Sequence, residues 1–150
     1  MKTQLMMAGA LALLLAGACK STSHDHKRDT PESTLALRKM YSAAAAYFYS
    51  NAALPPSAPL TPATSCCNGP GHRCRADATQ WDTPEWKAIE FGMFDPHYYR
   101  YELVSDGKSF RAVARGDLDC DGIESELSLG GHIENGELVR DEMRREREAE

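Results

Sequence analysis

No stretch of this 150-residue chain stays apolar for the about 20 residues that a membrane-spanning helix requires. The longest apolar run, residues 5–16, follows Lys2 and ends at Ala16-Gly17-Ala18-Cys19. A charged start, a short apolar core and small residues before a cut site make a secretory signal rather than a span. A basic excess is also missing. The 17 Lys and Arg face 22 Asp and Glu, for a formal charge of −5. That balance argues against a nucleic-acid partner and against a polybasic membrane patch. There is no Gly-rich phosphate loop and no Gly-x-Ser-x-Gly nucleophile elbow. Regular Cys-x-x-Cys spacing is absent too, so zinc is the weaker reading of the cysteines.

Leu15-Ala16-Gly17-Ala18-Cys19 resembles the lipobox of bacterial lipoproteins, with Ala16 where that motif prefers Leu. The resemblance implies that Cys19 becomes the lipidated first residue of the mature chain and holds it on a membrane. The alternative is a plain signal peptide cut after Ala18. Both readings take the chain out of the cytoplasm. Removing residues 1–19 takes away Lys2 and no other charge, so the formal charge becomes −6. Lipoprotein sorting depends on the residues after the cysteine, here Lys20 and Ser21. Neither is the aspartate that resembles an inner-membrane retention signal, which favours the outer membrane. The organisation expected is a lipoprotein signal peptide at 1–18, an anchor and polar linker at 19–30, a folded domain at 31–140 and a charged tail at 141–150.

Four cysteines remain in the mature part: Cys66, Cys67, Cys74 and Cys120. An even number in an exported chain reads as two disulfides. Adjacent cysteines rarely bridge, because closing that ring distorts the peptide bond between them. One of Cys66 and Cys67 therefore reaches Cys74 and the other Cys120, with the choice open.

The clearest helix begins at Thr30-Pro31-Glu32, which supplies a cap, a first-turn proline and an early acid. Leu37, Tyr41, Ala44 and Phe48 recur at helical spacing, flanked by Met40 and Tyr47. Asn51 and Pro55-Pro56 end it. Residues 52–80, rich in Pro, Ala, Ser and Thr, read as a long connection stapled by three cysteines. Thr83-Pro84-Glu85 starts a short helix anchored by Trp81 and Trp86. Alternating residues then predict strands at 98–104, 110–114, 124–129 and 137–139, with turns at Asp106-Gly107 and Asn135-Gly136. Residues 140–150 read as a solvated helix or a frayed tail. The fold class expected is α+β: a long N-terminal helix packed on a three- to four-stranded antiparallel sheet, stapled by disulfides. Tyr98, Tyr99 and Tyr101 are a candidate contact surface.

Chemistry concentrates in Gly116-Asp117-Leu118-Asp119-Cys120-Asp121-Gly122. Alternate carboxylates before a glycine let a tight loop aim several oxygens at one hard cation such as Ca²⁺. The candidate ligands are Asp117, Asp119 and Asp121, completed by the Ile123 carbonyl and Glu124 or Glu126. This is not an EF-hand, whose twelfth position would fall on Ser128. The alternative is a β-turn in which the aspartates cap backbone amides and Gly122 takes a positive φ. His97, in Asp95-Pro96-His97, is a candidate catalytic or ligand-binding residue, against a hydrogen-bonded histidine at a strand edge.

The Leu37–Phe48 pattern resembles the second half of the type IV pilin N-terminal helix. The Trp81–Trp86 segment, Phe91 with Asp95-Pro96-His97-Tyr98-Tyr99, the hairpin and the acidic loop are similar to the heads of type IV pilins and type II secretion pseudopilins. That resemblance implies an αβ-roll, a structural calcium on Asp117, Asp119 and Asp121, and disulfides at the four cysteines. The chain lacks the Gly-Phe-Thr-Leu-x-Glu processing site and the long apolar helix of that family. The function expected is therefore that of a non-enzymatic envelope lipoprotein with a pilin-like head, contacting a pilus or secretion apparatus. The alternatives are a minor pilin or pseudopilin with a divergent leader, and a small periplasmic enzyme or ligand binder using His97 or the acidic loop.

Overall fold

The computed structural model describes residues 30–146. The signal at 1–18, the lipidation site Cys19 and most of the linker lie outside the described residues. Helix α1 (Thr30–Asn51) is followed by strand β1 (Ala58–Thr61) and an irregular segment with short 3₁₀ turns at Cys66–Asn68, Pro70–His72 and Ala78–Trp81. The short helix α2 (Pro84–Ala88) comes next, then β2 (Arg100–Ser105), β3 (Ser109–Gly116), β4 (Ser125–Glu134), β5 (Glu137–Arg140) and β6 (Arg144–Glu146). The strands form one antiparallel sheet in the order β1-β2-β3-β4-β5. β5 pairs with residues 131–134 of β4, and β6 pairs with residues 126–128 of the same strand.

The expectation of a three- to four-stranded αβ-roll is thus corrected to one main helix on a six-stranded sheet. The two extra strands carry no alternating signal. β1 sits in the proline-rich connection, where an edge strand tolerates Pro59 at a register irregularity. β6 is Arg144-Arg145-Glu146, exposed throughout, and joins the sheet by backbone pairing with β4. The segment expected to be a charged tail, 141–150, therefore contains a paired strand at Arg144–Glu146.

Pairing register explains the core. Tyr101 of β2 lies beside Ala114 of β3 and Leu127 of β4, and the next inward row is Leu103, Ala112 and Leu129. All six are buried. The alanines on the central strand leave room for α1, which packs on β3 and β4. Leu37, Met40 and Ala44 are fully buried along that helix, with Phe48 at its end. Tyr41 is only partly buried and stacks on Phe110, 5.6 Å between ring centroids. Gly131 makes space for it, since a Cβ there would stand 3.2 Å from Tyr41 Cε2. The helix ends where Ala52 takes φ 51° and its amide donates to the Phe48 carbonyl at 2.8 Å.

The same apolar core extends to α2. Trp81 and Trp86 meet edge to face at 5.1 Å, as do Phe91 and Tyr101 at 5.6 Å. Trp86 Nε1 donates to Thr61 Oγ1 at 2.8 Å, tying α2 to β1. Tyr99 and Tyr101 belong to this interior, at 5% and 0% exposure. They are core residues, not a contact surface.

Glu32, in the first turn of α1, links helix to sheet. Its carboxylate accepts from the amides of Tyr98 at 3.1 Å and Tyr99 at 3.3 Å, and from the Tyr101 hydroxyl at 3.0 Å. Burial raises its pKa above the ordinary carboxylate value of 4.5, outweighing the three bonds and the nearby His97, which act the other way. Burial and the facing Glu32 likewise push the Tyr101 hydroxyl far up.

Two outcomes follow from this packing. Leu37→Ala removes a fully buried side chain and should cost about 2–5 kcal/mol in urea unfolding. A loss below about 1 kcal/mol would place Leu37 outside the core. Because the folded pKa of Glu32 exceeds the unfolded one, folding favours its protonated form. Its contribution is fully present below about pH 4.5 and declines as pH rises through the folded value. Unfolding free energies of the parent relative to Glu32→Gln should therefore fall as pH rises from about 4 to about 7, and a rise would contradict this assignment.

Candidate functional site

The acidic loop joins β3 to β4 and is built by its own side chains. Asp117 accepts from the amide of Asp121 at 3.1 Å through Oδ1 and from the amide of Gly122 at 3.0 Å through Oδ2. Asp119 Oδ1 also faces the Asp121 amide at 3.3 Å, and Asp121 Oδ1 accepts from the amide of Ile123 at 2.7 Å. Gly122 has φ 93°, which only glycine adopts freely. The turn foreseen in the sequence is thus formed, and the same folding brings Asp117, Asp119 and Asp121 together. One carboxylate oxygen from each lies within 4.8 Å of the others.

Ile123 is 63% exposed. The two glutamates among the remaining candidate ligands go elsewhere. Glu124 is ion-paired with Arg100, whose guanidinium also donates to the Ala63 carbonyl at 3.0 Å. Glu126 is buried on the face of the sheet away from α1, where Arg115 approaches at 3.2 Å and Arg111 at 3.5 Å. Register dictates this: Glu126 stands directly opposite Arg115 in the β3–β4 pair. Burial disfavours the charge on Arg115, but Glu102 at 2.9 Å, with Glu126 and Glu124, outweighs it and raises the guanidinium pKa.

The loop is pinned by sulfur. Cys66 is bonded to Cys74 and Cys67 to Cys120, which resolves the open pairing. Cys67 Sγ lies 3.0 Å from the Asp117 carbonyl oxygen. Cys67, Cys120 and Asp117 also cluster within 4.8 Å, but both sulfurs are already committed to the disulfide. His72 brings Nδ1 to 3.4 Å from Cys120 Sγ. The arginines 100, 111 and 115 are the neighbours that motif reading missed. The arginines at 111 and 115 were detectable, since they occupy the polar parity of a strand whose other parity is Phe110, Ala112 and Ala114.

His97 is not at this site. Its ring is 1% exposed, 6.1 Å from Trp81 and 6.4 Å from Tyr101 between centroids. Nδ1 donates to the Asp95 carbonyl at 2.8 Å, and Nε2 has no hydrogen-bond partner. Its backbone pairs with Cys74 in both directions, at 2.8 and 3.3 Å. An open cavity of about 440 Å³ lies instead along α2, lined by Trp81, Trp86 and Phe91, with Lys87, Glu90 and the exposed Phe94. A smaller one of about 280 Å³ lies over the outer sheet face between Arg111 and Arg144. Neither His97 nor the acidic loop lines either cavity.

Comparison of the chain with protein-family models, curated proteins and solved structures returns no match.

The two disulfides differ in the loops they close. Sequence separations of 53 and 8 residues correspond, by chain entropy, to about 4 kcal/mol for Cys67–Cys120 and about 2.5 kcal/mol for Cys66–Cys74. Paired serine replacements, measured by urea unfolding, should therefore rank in that order. The reverse order would mean that local packing, not loop closure, sets their worth.

Proposed function

We propose that this chain is an exported, non-enzymatic lipoprotein of the cell envelope, held on the membrane through Cys19 and acting by protein–protein contact. The partner class suggested by the sequence resemblance is a type IV pilus or secretion apparatus. The observation that carries export is the pairing of all four cysteines at 66, 67, 74 and 120 into two disulfides, as an oxidising compartment allows. Among the described residues no helix is long and apolar enough to cross a membrane. The anchor in this reading is the lipid on Cys19, with the outer membrane as its destination. Catalysis at His97 has little support, since that ring is sealed among aromatics. For contact, Phe94 is the favoured element: it is 65% exposed beside the apolar cavity on α2.

The reading includes a structural Ca²⁺ on Asp117, Asp119 and Asp121, whose converging carboxylates suit a hard cation. Glu124 and Glu126 are left out of that set because arginines hold them. Calcium at 100 times its dissociation constant would add about 2.7 kcal/mol to stability, lost on chelation. An unchanged melting transition with chelator present would remove calcium from the reading without touching the anchor.

The anchor has its own test. Mass spectrometry of the mature protein should find a diacylated Cys19, and Cys19→Ala should move the protein from the membrane to the soluble fraction. An unmodified N-terminus downstream of Cys19 would overturn the lipoprotein assignment.

A further inference from the structure

We propose that Cys67–Cys120 is a thiol–disulfide exchange site whose substrate is a dithiol, and that His72 assists the departure of Cys120. Three observations separate this bond from its neighbour. Cys66 and Cys74 are each 4% exposed, enclosed by the fold, whereas Cys67 and Cys120 are only half-buried. Exchange requires a thiolate to reach a sulfur, so access alone favours Cys67–Cys120. The second observation is the exposed His72, with Nδ1 3.4 Å from Cys120 Sγ. Among the described residues no histidine approaches the sulfur of Cys66 or Cys74 in this way. Third, Cys120 and His72 both hold left-handed backbone, at φ 61° and 56°. Non-glycine residues take that conformation at a cost, and such positions gather at functional sites.

One thiolate of the dithiol attacks Cys67 Sγ and forms a mixed disulfide. The Cys67–Cys120 bond breaks, and its electron pair leaves on Cys120 Sγ. His72 Nδ1, carrying its proton, donates to the resulting thiolate and makes it the better leaving group. The second thiol of the reductant, deprotonated by water, then attacks the reductant's first sulfur in the mixed disulfide and breaks its bond to Cys67 Sγ. Cys67 leaves as a thiolate and takes a proton from water. Its thiol faces the Asp117 carbonyl, 3.0 Å away, as a ready acceptor. The chain gains two electrons, and the dithiol is oxidised to a cyclic disulfide. The opening frees the acidic loop from the 3₁₀ turn that carries Cys67, leaving Cys66–Cys74 in place.

The test uses the full oxidised chain with dithiothreitol and, separately, with glutathione, each quenched by alkylation and mapped by mass spectrometry. Dithiothreitol should open Cys67–Cys120 about tenfold faster than Cys66–Cys74. Glutathione should form its mixed disulfide on Cys67 and leave Cys120 free to be alkylated. His72→Phe, which keeps bulk but removes the donor, should slow the opening about threefold, as for a leaving thiol of higher pKa. His72→Asn, which keeps a donor and tolerates left-handed backbone, should restore most of the rate. Melting of both variants in the oxidised state checks that the fold is intact. Equal opening rates for the two disulfides, a glutathione adduct on Cys120, or no effect of His72→Phe would each overturn the proposal.

Discussion

Two cysteines adjacent in the chain pull in different directions, and the rest of the domain depends on it. Cys66 closes a small ring with Cys74, while Cys67 reaches across to Cys120 in the loop between β3 and β4. The segment between β1 and α2 has only short 3₁₀ turns of its own. Its backbone link to the region before β2 is the pairing of Cys74 with His97, beside side-chain contacts of Arg73 with the Tyr98 ring and of Trp81 with Phe91 and His97. The next two amides along the chain, those of Tyr98 and Tyr99, point at Glu32 in the first turn of α1. Sulfur thus fixes Cys74, Cys74 aligns His97, and the residues after His97 hold the start of the main helix. Irregular backbone of this length needs such a staple, because no ladder offsets its conformational entropy.

The sheet divides the remaining work between its faces. Toward α1 it presents Tyr101, Leu103, Leu127 and Leu129 around the small residues Ala112 and Ala114. On the opposite face Arg111 and Arg115 interleave with Glu102 and Glu126. Val113 lies on that face and is nonetheless fully buried. Arginine stems cover apolar surface while their charges stay paired, so this layer shields the sheet without a second helix. Net stability gained from such ion pairs is small, and covering the sheet is their larger effect.

Much of this was legible in the residues. Helical spacing located α1 and its buried stripe, although Met40 rather than Tyr41 lies at the centre of that stripe. The turns at Asp106-Gly107 and Asn135-Gly136 formed where glycine and asparagine permit positive φ. The two missed strands share a physical cause. Side-chain alternation marks a strand only where one face is buried, and β6 buries neither face. β1 is short and carries a proline, so it reads locally as loop. The acidic loop was legible as three converging aspartates, but the fate of Glu124 and Glu126 was not. That depended on strand register, which sets Glu126 against Arg115 across the sheet. Which of Cys66 and Cys67 reached Cys74 was likewise beyond the sequence, since spacing alone is nearly the same for both.

In the account proposed above, a stapled domain presents loops and an exposed phenylalanine on the outer side of a membrane, with one disulfide closed off and the other open to exchange. All of it rests on the division of labour between neighbouring cysteines. The most direct measurement is disulfide mapping of the native protein by partial reduction, stepwise alkylation and fragment-ion sequencing, which can tell adjacent cysteines apart. The account predicts Cys66 with Cys74 and Cys67 with Cys120. Finding Cys67 with Cys74 and Cys66 with Cys120, or free thiols at these positions, would contradict it.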